Sequence, residues 1–325
     1  MEHTVNLHES QDIFPELIQA TAADLGIPAI YVEKDYWVTR VLKRLSESEY
    51  GEAVVFKGGT SLSKAHRLIE RFSEDIDLAL RDGHGLGGGA RRKVMKGVES
   101  AATQDLRYIR GHPLESKHGR FRKTAYAFPA RSDTAELGQV GDTLLMELNS
   151  FANPEPAATM PIATLIHDFL VNANRTDLTR QHDLEPFPVH VLSAERTLCE
   201  KIMGLVRASH ESDALAELRR RIRHVYDIVM ILRVRKFREF AESDAFVKMI
   251  SEVREWDRRS MPGASVWLDP PLKEALIVAD AENLWSGLRS EFRGNFRDMV
   301  YGDSVPEDNE VLECLSLIAA SLTRV

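Results

Sequence analysis

The chain has 325 residues, 43% of them hydrophobic, and a formal net charge of −8. That length and apolar content support a real core, as one large domain or two ordinary ones, and exclude global disorder; the acidic balance argues against a protein that coats nucleic acid. No apolar run approaches the roughly 20 residues a membrane span needs, and "MEHTVNLHESQDIF" lacks the basic and apolar regions of a signal peptide, so a cytoplasmic protein with no membrane partner is expected. Cys199 and Cys314 lie far apart without metal-finger spacing and read as reduced core residues. The charge is unevenly spread. "ARRKVMKGVESAATQDLRYIRGHPLESKHGRFRK" and "RRRIRHVYDIVMILRVRKFREF" are basic, while the last part of the chain is acidic, so basic surface could gather beside one cleft.

In chain order, "DIFPELIQATAADLG" has apolar residues at helical spacing and stops at Gly26. A second helix, "YVEKDYWVTRVLKRLSE", follows; Glu33, Lys34 and Asp35 are expected on its exposed face, with Tyr36 and Trp37 packing inward. "AVVFKG" reads as a strand running into a Gly58-Gly59 turn. "SLSKAHRLIER" puts Leu62, Ala65, Leu68 and Ile69 on one helical face, capped by Thr60 or Ser61, and "IDLAL" is a strand that starts between two aspartates. "RDGHGLGGGARRK" is a glycine-rich loop entering another helix. "LRYIRG", "RFRKTAYAFPA" and "DTLLMELNSF" are further strands, the middle one alternating as a one-sided antiparallel strand does. The expected fold is α+β, a small mixed sheet with helices covering one side. Beyond about Ile162 the pattern turns mostly helical, and the prolines of "FANPEPAATMP" place the boundary there. Residues 1–160 then form the core with two N-terminal helices, and residues 161–325 a mainly helical C-terminal domain.

Gly58 and Gly59 let the backbone approach a ligand without a Cβ in the way, the following helix aims N–H groups and its positive dipole end at that ligand, and Thr60 and Ser61 add hydroxyl donors. A plain turn is the rival reading. Asp75 and Asp77 project from one face of a strand, where two hard carboxylates suit Mg²⁺, or Mn²⁺ in its place, bridged to substrate phosphates; a solvent-facing pair would leave two like charges unneutralised. Glu147, a lone acid among Leu144, Leu145, Met146 and Leu148, is expensive to bury without a cation or partner and is the candidate third carboxylate, with Asp142 as a fallback. Lys57 either touches phosphate or caps the strand end.

"FKGGTSLSKAHRLIERFSEDIDLAL", with "EKDYWVTRVL" before it and "SAERTLCEKI" and "RHVYDIVMIL" after it, resembles the AbiEii/AbiGii toxin family of the nucleotidyltransferase superfamily, from about Tyr31 to about Leu232. The resemblance implies a polymerase-β-like nucleotidyltransferase core joined to a helical C-terminal region, with the triphosphate on Gly58, Gly59, Thr60 and Ser61 and the metal on Asp75 and Asp77. It further implies a phosphate-binding Lys201 and an Asp227 that acts as a base or positions the acceptor hydroxyl. The family's R-x-x-K-D-x-x-D motif is altered: Arg220, Arg223, His224 and Asp227 occupy its places, so Arg223 keeps a phosphate-binding cation as a flat fork, whereas His224 removes a carboxylate. The helical spacing itself is equally served by surface ion pairs.

The expected activity is a Mg²⁺-dependent nucleotidyltransferase toxin that moves a nucleoside monophosphate from an NTP to RNA, the 3′ end of tRNA, blocking translation, with a cognate antitoxin as partner. Two rivals are NTP-dependent modification of a protein or small molecule, and a catalytically silent nucleotide- or antitoxin-binding module.

Overall fold

The computed structural model describes residues 5–73, 75–81, 83, 85–130, 142–261, 263–301 and 305–325. Asp82 and His84 of the glycine-rich stretch lie outside the described residues. The chain forms two compact units, one made of residues 1–65 with 72–191 and the other of residues 66–71 with 192–325.

In the first unit, α1 (Ile13–Leu25) stops at Gly26, whose φ of 64° is the left-handed cap conformation that glycine adopts without strain. Helix α2 (Ala29–Ser46) follows Pro28 and buries Tyr36 and Trp37 as expected. Its charged residues depart from expectation. Glu33 and Lys34 are 0% and 1% exposed, and Asp35 ties two other elements together by pairing with Lys64 and accepting the Leu165 N–H at 2.8 Å. A fully charged triplet reads as a wet face by composition alone; here Asp35 has Lys64 as its counter-charge, and the Lys34 ammonium lies 5.7 Å from the Phe72 ring centroid.

The strands are β1 (Val54–Lys57), β2 (Asp75–Leu80), β3 (Arg107–Tyr108), β4 (Ser116–Lys117), β5 (Phe121–Ala127), β6 (Thr143–Asn149), β7 (Ala157–Ile162) and β8 (Phe187–Leu192). They form one mixed sheet in the order β3-β5-β6-β2-β1-β8-β7, with β4 also on β5. β1 is antiparallel to β2 and β5 to β6, whereas β2–β6 and β1–β8 are parallel. Helix α3 (Gly58–Lys64) joins the turn after β1, and α4 (Gly88–Ala102) lies between β2 and β3 in the chain. Helices α5 (Leu165–Asn172), which Thr164 caps by accepting the His167 N–H at 2.9 Å, and α6 (Thr176–Gln181) separate β7 from β8. The boundary expected near residue 160 falls inside β7, so this unit runs on to Val191. β7 and β8 escape sequence reading because Pro161 and Pro188 interrupt their alternation.

Helix α3 is shorter than its sequence pattern. It ends at Lys64, Arg67 takes a left-handed φ of 53°, and His66–Arg71 peels away to pack as part of the second unit. That unit is helical: α7 (Ala194–Ser209), capped by Ser193; α8 (Ala214–Arg220); α9 (Ile222–Arg233); α10 (Arg235–Ala241); α11 (Asp244–Ser260); and, toward the C-terminus, helices Ala281–Arg293 and Asp308–Leu322. The single helix expected over "DALAELRRRIRHVYDIVMILRV" is broken at Arg221 into α8 and α9. Cys199 and Cys314 are buried free thiols. No helix among the described residues is long and apolar enough to cross a membrane.

Candidate active site

Strand register builds the site. Lys57 on β1 stands opposite Asp77 on β2, Asp77 opposite Glu147 on β6, and Glu147 opposite Lys123 on β5. Residues directly opposite one another project from the same face, so four neighbouring strands, about 4.8 Å apart, carry a row of lysine, aspartate, glutamate and lysine. Asp75 lies two residues before Asp77 on that face, while Ile76 and Leu78 are buried on the other, at 1% and 0% exposure. Asp75, Asp77 and Glu147 are thus brought together as expected from their positions in strands. The fallback Asp142 accepts the Phe128 N–H at 3.0 Å through its backbone carbonyl, just before β6 begins, as a turn residue would.

Lys123, which no local pattern singles out, forms an ion pair with Glu147. Burial alone would lower the Lys123 pKa, but the hydrogen bond and charge of Glu147, with the charges of Asp75 and Asp77, hold it above the ordinary lysine value. The third carboxylate therefore already has its counter-charge. Among the described residues no group of three or more His, Cys, Asp and Glu side chains could hold a metal ion. The donor chemistry instead fits a divalent ion held by Asp75 and Asp77, with its remaining oxygens coming from substrate phosphates.

The glycine turn meets this row directly. Gly58 has φ 78°, a conformation that L side chains rarely adopt, and a Cβ built on it would overlap the Asp77 carboxylate, standing 2.8 Å from its Cγ. Glycine is required here twice, by the backbone and by Asp77. The hydroxyls expected to reach a phosphate point elsewhere. Thr60 is 2% exposed, and its Oγ1 donates to the Asp75 carbonyl at 2.5 Å; Ser61 is 0% exposed and donates to the Gly58 carbonyl at 2.9 Å. Thr60 thus ties the turn to β2 and Ser61 closes the turn on itself, which leaves the Gly58-Gly59 backbone as the part of this turn that can face a ligand. Buried hydroxyls return to nearby carbonyls because an unmade hydrogen bond costs about 1–3 kcal/mol.

Lys201 and Asp227 belong to the second unit and form a cluster there with a residue the sequence did not flag. Asp227, on α9, is 0% exposed. Arg71 donates to both of its oxygens, Nε to Oδ1 at 2.7 Å and Nη2 to Oδ2 at 2.8 Å, and Lys201 Nζ lies 2.7 Å from Oδ2. Burial would raise the Asp227 pKa, but the charges and hydrogen bonds of Arg71 and Lys201 keep it far below the ordinary carboxylate value. An ionised carboxylate with both oxygens engaged and no exposed surface is a poor general base and has no way to orient an acceptor hydroxyl; Lys201, 7% exposed, is turned toward Asp227. The pairing with Arg71 was invisible because "SLSKAHRLIER" has helical period throughout, whereas Glu70 and Arg71 are extended and fixed to this unit by Tyr301 N–H donating to the Glu70 carbonyl at 2.9 Å and by a bridge from Arg71 to Val300.

The altered family motif is accounted for individually. Arg220 ends α8 and pairs with Glu217, so it is not on the Asp227 helix. Arg223 is half-buried one turn before Asp227. His224, on α9 beside the Arg71–Asp227–Lys201 group, has a buried Nδ1 without a hydrogen-bond partner. Its burial, reinforced by the charge of Lys201, pushes its pKa well below the ordinary histidine value. A neutral imidazole therefore stands where a carboxylate would have added a negative charge.

Comparison with known proteins accords with this architecture. The fold is similar to that of MenT4, a nucleotidyltransferase toxin from Mycobacterium tuberculosis, with a TM-score of 0.57 and 17% sequence identity over 96% of this chain and 90% of that one. No curated protein matches the sequence. The family described as "Nucleotidyl transferase AbiEii toxin, Type IV TA system" matches residues 40–313. With most of its length matched, the chain belongs to the AbiEii nucleotidyltransferase toxin family of type IV toxin–antitoxin systems.

Proposed function

We propose that this nucleotidyltransferase moves a nucleoside monophosphate from an NTP to the 3′ hydroxyl of an RNA, of the tRNA class, in a Mg²⁺-dependent reaction that blocks translation until a cognate antitoxin intervenes. The observation that carries the reading is the contact of Gly58 with Asp77, which makes the phosphate turn and the carboxylate pair one place. Asp75 and Asp77 would hold Mg²⁺, which supplies charge stabilisation on the transferred phosphoryl group when bound. The acceptor oxygen attacks the α-phosphorus, the bond to the β-phosphate oxygen breaks, and pyrophosphate leaves. Glu147, with Oε1 on Lys123, offers its other oxygen to the acceptor's proton. In the second unit we assign Asp227 to holding Arg71 and Lys201 in place rather than to the acceptor, and Arg223 to a phosphate.

Purified protein incubated in turn with each α-labelled NTP and total RNA tests this. Label is expected at RNA 3′ ends, sensitive to ribonuclease and absent with Asp77→Ala. Ribonuclease-resistant label on protein, or equal labelling by the variant, would overturn it.

Lys123 gives a second, separable expectation. A cation beside three carboxylates opposes a divalent ion by several kcal/mol at the effective dielectric of a protein surface. Lys123→Met should therefore bind Mn²⁺ at least about tenfold more tightly, read by paramagnetic resonance of free Mn²⁺, and yet transfer more slowly because Glu147 becomes a metal ligand. Unchanged Mn²⁺ affinity would remove Lys123 from the site.

A further inference from the structure

The strand arm that edges the sheet carries charge the fold does not use. Between Arg107 and Lys123 there are six arginines and lysines against one acid, Glu115, in a chain of net charge −8. Three of the six are consumed locally: Lys117 pairs with Glu115, Arg122 with Glu99 at 2.6 Å, and Lys123 with Glu147. Glu115 also accepts the Gly111 N–H at 3.0 Å and the Tyr108 hydroxyl, so it shapes the arm from within. Arg107, Arg110 and Arg120 remain. All three are exposed, and none has a carboxylate partner among the described residues.

Basic residues on an edge strand can simply deter aggregation, but strands of two residues, as β3 and β4 are, offer little edge to protect. Guanidinium groups present a fork that matches phosphate oxygens. The sheet order also places the arm. β3 is three strands from β2, about 14 Å across the sheet, and the register of Arg107 with Ala127 and so with Thr143 sets it four residues, about 13 Å, along the strands from Glu147, about 19 Å in all, on the face that carries Asp77 and Glu147. At about 3.4 Å per nucleotide along one strand, that span is roughly six nucleotides.

We propose that the arm from Arg107 to Arg120 clamps the phosphate backbone of single-stranded RNA a few nucleotides before its 3′ end. This rests on the RNA-acceptor reading and deepens it, since it says which surface holds the acceptor and where along the strand. The clamp is independent of sequence, because phosphates carry none.

The test separates binding from transfer. Anisotropy of a fluorescent single-stranded 12-nucleotide RNA is measured with the full chain and with Arg107→Glu/Arg110→Glu/Arg120→Glu, across a salt series. Wild type should bind, and the triple variant should bind at least tenfold more weakly, with the slope of log affinity against log salt reduced by about 2, as three lost phosphate contacts require at about 0.7 each. Arg235→Glu, on an exposed arginine of α10, should leave binding unchanged, and equal melting curves should show the triple variant folded. In transfer assays the variant should raise KM for long RNA and leave KM for the NTP and the rate with a dinucleotide acceptor unchanged. Equal affinity of wild type and triple variant overturns the clamp, as does equal competition by polyglutamate, which would mark a surface for an acidic protein. Arm-dependent binding without any labelling of RNA keeps the clamp and sinks the transfer reading.

Discussion

Asp77→Ala should reduce nucleotidyl transfer by about a thousandfold, the scale of losing a metal ligand that stabilises transition-state charge by about 4 kcal/mol, while the protein stays folded. Asp77 is half-exposed at the start of a strand whose stability comes from Ile76, Leu78 and Leu80 on the opposite face, so truncation removes chemistry more than packing. Gly58→Ala approaches the same point from the backbone. The added methyl must displace the Asp77 carboxylate and must sit at a φ of 78°, a strain of about 1–2 kcal/mol for an L residue. We expect at least a hundredfold loss of transfer together with measurable destabilisation. In the Asp77→Ala background the overlapping carboxylate is gone, so Gly58→Ala should destabilise less there than in wild type. That non-additivity, read by urea denaturation, is the signature of direct contact. Strict additivity would separate the turn from the carboxylates.

What the sequence disclosed here follows from how local each feature is. Gly58-Gly59 and Asp75/Asp77 were legible because a turn and an i, i+2 pair are written within a few residues. Glu147 was legible because an acid within an apolar strand demands a partner. The partner itself, Lys123, was not, because "RFRKTAYAF" says only that lysine lies on one face; which strand lies opposite, and in what register, is decided by the whole sheet. Thr60 and Ser61 illustrate the reverse error: residue type suggested donors to a ligand, whereas burial turned both hydroxyls to nearby carbonyls. Arg71 stayed hidden because it sits in a stretch of helical period that the second unit pulls into extended backbone. Tertiary packing there overrides propensity.

Asp227→Ala should be the most destabilising single change in the second unit, by about 3–5 kcal/mol, because it leaves the buried Arg71 and Lys201 without their counter-charge. If the group is structural, replacing all three members with apolar residues, Arg71→Met/Lys201→Met/Asp227→Leu, should recover most of that loss, since a buried ion group and a well-packed apolar one are often nearly equal in stability. Acid should act in the same direction as the single change. Asp227 has a lowered pKa when folded, so its contribution is complete above the ordinary aspartate range near pH 4 and is lost as the pH falls toward the lowered value. His224 is also lowered; below about pH 6.5 the unfolded chain takes up a proton that the folded histidine refuses, and stability declines from there. His224→Gln should therefore flatten the fall in urea midpoint between pH 7.5 and pH 5 relative to wild type, and Asp227→Ala should not. An Asp227→Ala protein that melts with wild type would show that the carboxylate is dispensable to the fold and would overturn the structural reading of this group.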